Sequence, residues 1–426
     1  MLNTKQIRMA SGPVRPAAAY TEEFMETLHR IRQDHPQLSS LGYFLDTAEQ
    51  WFGWASEARP EVVVLGPDLP EELILAAGAV PYWLLGGSLF STSWSDDLVP
   101  RDTDPVSRSI LGYIHRPGGP DFSESLFLIP LSCDSMRKIA YQLKQEGKKL
   151  FLVDIPPEQN RRESILQWQK QMFRMMEAVA DHTNTRVTRR RLIDARLTVS
   201  RARKLLSVFL DLARGREDLL TFAARQLVRT SYYYTEDPEE WSDHLEILCQ
   251  ELKSHTARLY PRFRRPGILL AGSPVLFPNY KIPFLLQEIG LDIRECVDPA
   301  ALKQYGTNTG RILQGGRDRM IRAIAAERYR YNASSSFVSN DAMYRYIIGS
   351  LMHGDIEGVV YHVLKGQIEY DFELERLESL FSDYGIPVFR LETDYQYQDV
   401  EQLRIRMEAF AEMLEQNRYQ EVKQAQ

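Results

Sequence analysis

Two series of short apolar runs alternate with helical stretches along this 426-residue chain, and a long block without strand signal separates them. In the first series, residues 62–65 (Val-Val-Val-Leu), 80–85, 126–130 and 150–153 read as strands. Helical patterns fill the spaces between them, at about 70–78, 101–114 and 134–146. The first of these helices opens with Pro70-Glu-Glu and closes on Gly78, the usual signals for a start and a stop. Strands alternating with helices predict a parallel sheet wound on both faces, spanning 60–157. In the block at 158–265, Ile165, Trp168, Met172, Met175 and Val179 form one helical stripe. Leu192, Ala195, Val199, Ala202, Leu206 and Phe209 form a second, so this block reads as a helical linker domain. The alternation resumes with strands at 268–271, 358–363 and 387–391 and helices near 280–289 and from 370, giving a second sheet domain over 266–418. Residues 1–59 read as a loose tail, to about residue 20, followed by helices, and 419–426 as a polar tail. The two sheet domains share no evident repeat, so no internal duplication is claimed.

Composition narrows the function classes. The net charge of −6 gives no whole-molecule attraction to nucleic acid or to an anionic membrane. No apolar run reaches the length of a bilayer span, and the first residues lack the apolar core of a secretory signal. Three scattered cysteines argue against a disulfide framework, and the cytoplasm is the expected compartment.

Few motifs stand out. There is no Gly-x-Gly-x-x-Gly, no phosphate-binding P-loop, no Gly-x-Ser-x-Gly, no His-Glu-x-x-His and no Cys-x-x-Cys. Gly86-Gly87 and Gly315-Gly316 read as turns. Cys133 lies between an apolar strand and a helix, where α/β proteins place their chemistry and where a helix dipole favours thiolate. A lone cysteine is more often a small buried hydrophobe, so both readings stay open. Gly272-Ser273-Pro274 is a second strand-to-helix turn, equally suited to receiving a ligand or to turning the chain. Glu392 and Asp394 follow the last strand and read as pocket acids or as caps. The arginine-rich stretch 186–204 reads as the solvated face of a helix, with a phosphate-binding patch as its rival. Tyr232-Tyr233-Tyr234 either packs domains together or lines an apolar pocket.

Several of these segments together resemble one family. Residues 70–81, Ser132-Cys133-Asp134 with Arg137-Lys138, Gly272-Ser273-Pro274 with Pro278-Asn279-Tyr280-Lys281, and Arg390 to Tyr395 with 401–410 are similar to 2-hydroxyacyl-CoA dehydratase and benzoyl-CoA reductase subunits. The resemblance covers almost the whole chain and is specific through the set of segments rather than through any one of them. It implies two Rossmann-like domains with a helical portion between. It also implies an iron–sulfur cluster, [4Fe–4S] in type, held at the domain junction by soft thiolate ligands. A cysteine-complete sister subunit, an ATP-hydrolysing iron–sulfur activator that supplies a low-potential electron, and an acyl-CoA-type substrate are the implied partners. The radical made from the thioester would allow loss of the hydroxyl or reduction of the acyl group, in anaerobic metabolism.

The chain departs from that pattern at the ligands. Cys133 matches one family cysteine, Asp104 stands before Pro105 where another is usual, and Gln367 stands at a third. Cys296 lies near a family cysteine region in a poorly matching context, and Cys249 reads as packing. The expected cleft gathers Cys133, Asp104, Ser273, Gln367 and Glu392, with Cys133 and Asp104 as metal ligands and Glu392 and Asp394 as catalytic acids. The alternatives are a cluster completed by a partner, a cluster lost so that the chain is a structural half of a heterodimer, and an acyl-CoA-like pocket without radical chemistry.

Overall fold

The computed structural model describes residues 16–53, 58–255, 265–298, 315–334 and 336–424. Its central strands form where β-branched and aliphatic residues run without a polar interruption, because a strand paired on both sides and covered on both faces has no face left for water. Strands β1 (Val62–Leu65), β2 (Tyr82–Leu84), β3 (Leu126–Pro130) and β4 (Lys149–Val153) pair in parallel in the order β2-β1-β3-β4. The central strands β1 and β3 are buried throughout, whereas Lys149 and Leu152 of edge strand β4 are exposed.

A second parallel sheet has the same order shifted along the chain, β6-β5-β7-β8, from β5 (Gly267–Gly272), β6 (Asp292–Val297), β7 (Gly358–Leu364) and β8 (Val388–Thr393). Strand β6 is absent from the sequence expectation. Its Asp292, Arg294 and Glu295 break the apolar run; Arg294 pairs with Asp292 beside it and with Glu217, and Glu295 with Arg214, the last two partners coming from the helical portion.

Helices α1 (Pro16–Asp34), α2 (Gly42–Gly53), α3 (Glu71–Ala76), α4 (Pro105–Ile114) and α5 (Asp134–Gln145) surround the first sheet. The helical portion contains α6 (Arg162–His182), α7 (Arg189–Ala213), α8 (Phe222–Ser231) and α9 (Pro238–Ser254). Helices α10 (Lys281–Glu288), α11 (Arg317–Arg330), α12 (Asp341–Leu351), α13 (Ile368–Asp383) and α14 (Val400–Gln424) complete the second half. Two ends differ from expectation. Residues 16–20, assigned to the loose tail, begin α1, because Ala19, Tyr20, Phe24, Leu28 and Ile31 form a buried helical stripe; residues 1–15 lie outside the described residues. The polar stretch after Arg418 continues α14 to Gln424.

One apolar core runs through the first sheet, the helical portion and one face of the second sheet, and a separate core covers the other face of the second sheet with α12 and α13. The Gly86-Gly87 turn shows why the sheets can approach. Gly87 has φ +110°, and a Cβ there would run into the Phe277 carbonyl oxygen in the turn after β5. Tyr234 packs against Trp51, Phe52 and Phe277, so its ring joins α2 to the second half of the chain. Among the described residues, no helix is long and apolar enough to cross a membrane.

Candidate functional site

In each sheet the chain moves outward from two adjacent central strands in opposite directions, β1 toward β2 and β3 toward β4, then β5 toward β6 and β7 toward β8. That reversal leaves a crevice at the carboxyl ends of the central pair, where open α/β sheets bind ligands. Here the two crevices line one cavity of about 110 Å³. Gly66, Pro67 and Asp68 come from the turn after β1, Ser132 and Cys133 from the turn after β3. Pro274 and Leu276 follow β5, and Gln367, Glu369 and Tyr370 follow β7. Asp104 and Ser107 complete the polar wall, and Leu85, Val106, Ile110 and Met136 make the rest apolar.

Asp104 caps α4. Its Oδ1 accepts a 3.0 Å hydrogen bond from the Ser107 amide, and Pro105 in the first turn needs no partner for a missing N–H. The same Oδ1 accepts a 3.2 Å bond from Gln367 Nε2, which crosses from the second sheet domain to the first. Gly366, at φ +86°, allows this approach: a Cβ there would crowd the Asp102 carbonyl at 3.0 Å and Asp104 Cα at 3.2 Å. Gln367 keeps its Oε1 buried without a hydrogen-bond partner.

Cys133 caps α5 without a side-chain hydrogen bond and is half-buried. Burial is the largest influence on its thiol, with the Asp104 carboxylate second, and together they push it up to about 12. The amides of Ser135 and Met136 pull the other way and lose, so the expectation that the helix end makes Cys133 a ready thiolate is reversed. Glu369, which sequence reasoning missed, lies in the same wall, and burial, then the charge of Asp104, holds its carboxyl above the usual range. Its signal was its position two residues after Gln367, in the first turn of α13.

The structure thus brings Cys133, Asp104 and Gln367 to one cavity and places the other named residues elsewhere. Ser273 is buried beneath it, its amide donating to the His362 carbonyl at 2.8 Å and its Oγ accepting from the Leu364 amide at 2.9 Å. Those bonds tie β5 to β7, so Ser273 fixes the turn while its neighbour Pro274 lines the cavity. Glu392 is exposed and pairs with Arg390 at 3.0 Å. Asp394 accepts from the Gln396 amide at 2.7 Å and pairs with Lys365 at 3.2 Å. Cys249 is buried in α9, and Cys296 in β6 directs its thiol to Asp298 Oδ2 at 3.3 Å; neither lines the cavity.

A [4Fe–4S] cluster depends on thiolate ligands. The cavity offers one thiol, one carboxylate engaged by two donors, and one amide. Among the described residues, no group of three or more His, Cys, Asp or Glu side chains is arranged to hold a metal ion. This donor set does not fit such a cluster held by the chain alone.

Comparison with known proteins agrees with the architecture. Residues 68–414 match the family described as 2-hydroxyglutaryl-CoA dehydratase, D-component. The chain is 25% identical over 358 residues to an Escherichia coli (strain K12) protein named "Putative dehydratase subunit YjiM", covering 81% of this chain and 89% of that one. It is 23% identical over 348 residues to the (R)-phenyllactyl-CoA dehydratase beta subunit of Clostridium sporogenes, with the same coverage of 81% and 89%.

Proposed function

The chain belongs to the 2-hydroxyglutaryl-CoA dehydratase D-component family, and from that premise we propose that it is the cluster-free partner subunit of a 2-hydroxyacyl-CoA dehydratase-type heterodimer. The sister subunit supplies the cysteine set, and an ATP-hydrolysing activator delivers the low-potential electron to that sister. The complex then removes water from a 2-hydroxyacyl thioester in the cytoplasm. The observation that carries the reading is the contact between Asp104 and Gln367. Two residues at positions where the family resemblance expects cluster ligands bond to each other at 3.2 Å, beside a single thiol. A buried carboxylate that already accepts from a helix amide and a side-chain amide is stabilised as a structural group. In this subunit the cavity serves as a shaped wall of the complex, and Asp104 and Gln367 clasp the two sheet domains across it.

Anaerobic co-expression with a cysteine-complete family member tests this. A stable pair should purify, and its iron and acid-labile sulfide should be unchanged when Cys133→Ala is introduced. Failure to pair would contradict the assignment as a partner subunit. Loss of iron from the pair in Cys133→Ala would show instead that Cys133 completes a shared cluster.

A further inference from the structure

Asp104 meets both of its side-chain donors with one oxygen. Oδ1 accepts from Ser107 and Gln367, while Oδ2 accepts no hydrogen bond among the described residues. The residue is 2% exposed and lines the cavity of about 110 Å³. Gln367 Oε1 is sealed within the protein, but Asp104 Oδ2 is not, so the little surface that Asp104 keeps faces the cavity. A buried carboxylate is ordinarily matched by a positive charge. Asp104 forms no ion pair among the described residues, and the ammonium of Lys138 on α5 is spent on Asp102 and Asp134.

The rest of the wall has the same sign. Asp68 and Glu369 line it as well, and among the described residues no lysine, arginine or histidine does. Asp68 Oδ1 accepts from Asn332 Nδ2 at 3.2 Å, whereas Glu369 forms no ion pair among the described residues and is only partly buried. The charges that act most on the Cys133 thiol are those of Asp104 and Glu369, both negative. The arginine-rich stretch of the helical portion supplies no counter-charge. Arg186, Arg189, Arg190 and Arg191 are exposed, as the solvated-face reading of 186–204 expects, and Arg196 departs from it. Arg196 is fully buried on Glu72 at 2.8 Å and Glu327 at 2.6 Å, and neither it nor its partners line the cavity.

We propose that this cavity binds a small organic cation, a primary ammonium on a short hydrocarbon chain, with its nitrogen on Asp104 Oδ2 and beside Glu369. An ammonium brings three donors and forms charge-assisted bonds with carboxylates. A cation here also relieves the repulsion between Asp104 and Glu369. Leu85, Val106, Ile110 and Met136 give apolar wall to the hydrocarbon part. A water-sized site needs about 10–15 Å³, so this cavity has room for several non-hydrogen atoms. The described residues offer no group of three ligands for a metal ion, which leaves an organic cation as the better match. The ligand rests on the cluster-free reading, because a cluster would fill the same cavity.

Isothermal titration of the full chain with butylammonium, butan-1-ol and butyrate, in a buffer without amines, tests it. Butylammonium should bind at least about tenfold more tightly than the alcohol or the acid. Asp104→Asn, which keeps an acceptor for Ser107 and Gln367 and removes the charge, should weaken that binding at least about tenfold with an unchanged circular dichroism spectrum. Should Asp104→Asn not fold, Glu369→Gln should still lower the affinity. No binding of butylammonium to the iron-free chain, butan-1-ol or butyrate bound as tightly, or an affinity unaffected by the variants would overturn the ligand and leave the cluster-free reading standing. Iron and acid-labile sulfide measured on the same sample separate the two claims, since a cluster lost in Cys133→Ala would overturn both.

Discussion

Asp104 carries two separable tasks. Its carboxylate ends the first turn of α4 and holds Gln367 of the other sheet domain, and both donors meet the same oxygen. Replacing it with Ala leaves the Ser107 amide and the Gln367 amide nitrogen without an acceptor in a buried setting. Asp104→Ala should therefore lower the unfolding free energy by about 1–3 kcal/mol, whereas Asp104→Asn, which keeps an acceptor, should lose less. Urea denaturation checks this, and equal stability of Asp104→Ala and the native chain would remove the clasp from the account. Asp before Pro is a helix start signal, yet the pattern opens the helix at residue 101 and gives Asp104 only as a ligand position, whereas α4 starts at Pro105. The bond to Gln367, 263 residues away, was not legible. The thiol of Cys133 shows the limit most clearly. Sequence places it at a helix N-terminus, and only the fold shows that burial and Asp104 outweigh the dipole.

At the scale of elements, the strands with apolar runs were readable, β8 included despite its Arg390 and Glu392, and β6 was not. Strand β6 interleaves Asp292, Arg294 and Glu295 with Ile293, Cys296 and Val297, and its pairing with β5 shifts register between Ile268 and Leu269. Its Arg294 and Glu295 are partnered by Glu217 and Arg214 of the helical portion, which no local pattern announces. Strand β7 was legible, but not the role of His362 at its end. This ring is buried, its Nε2 pairs with Thr393 Oγ1 at 2.7 Å, and burial, with the nearby charge of Lys281, lowers it from 6.5 to about 4. The folded state keeps it neutral while the unfolded chain protonates it near pH 6.5. Its contribution to stability is therefore complete above that pH and is lost as the pH falls toward 4, by about 3 kcal/mol. Urea midpoints at pH 7.5 and 4.5 should fall less in His362→Gln than in the native chain; an equal fall would place the acid sensitivity elsewhere.

For the whole molecule, the decisive arrangement is the facing of two sheets with one strand order, each contributing the carboxyl ends of its central strands to a single cavity. Two parallel sheet domains and a helical portion were legible because period and run length report burial directly. The shared strand order was not, since the two halves bury different residues in equivalent positions. Glu392 and Asp394 illustrate the same gap at the site: they lie at a strand's carboxyl end, yet β8 is the edge of its sheet and neither residue lines the cavity. We propose that this chain has the dehydratase scaffold without a cluster of its own. Anaerobic reconstitution of the isolated chain with iron and sulfide, followed by iron and acid-labile sulfide analysis, tests it most directly, with Asp104→Cys/Gln367→Cys as the comparison. The native chain should take up no stoichiometric cluster, and the variant should take one up because its cavity then offers three thiols. About four irons and four sulfides per native chain, lost in Cys133→Ala, would contradict it.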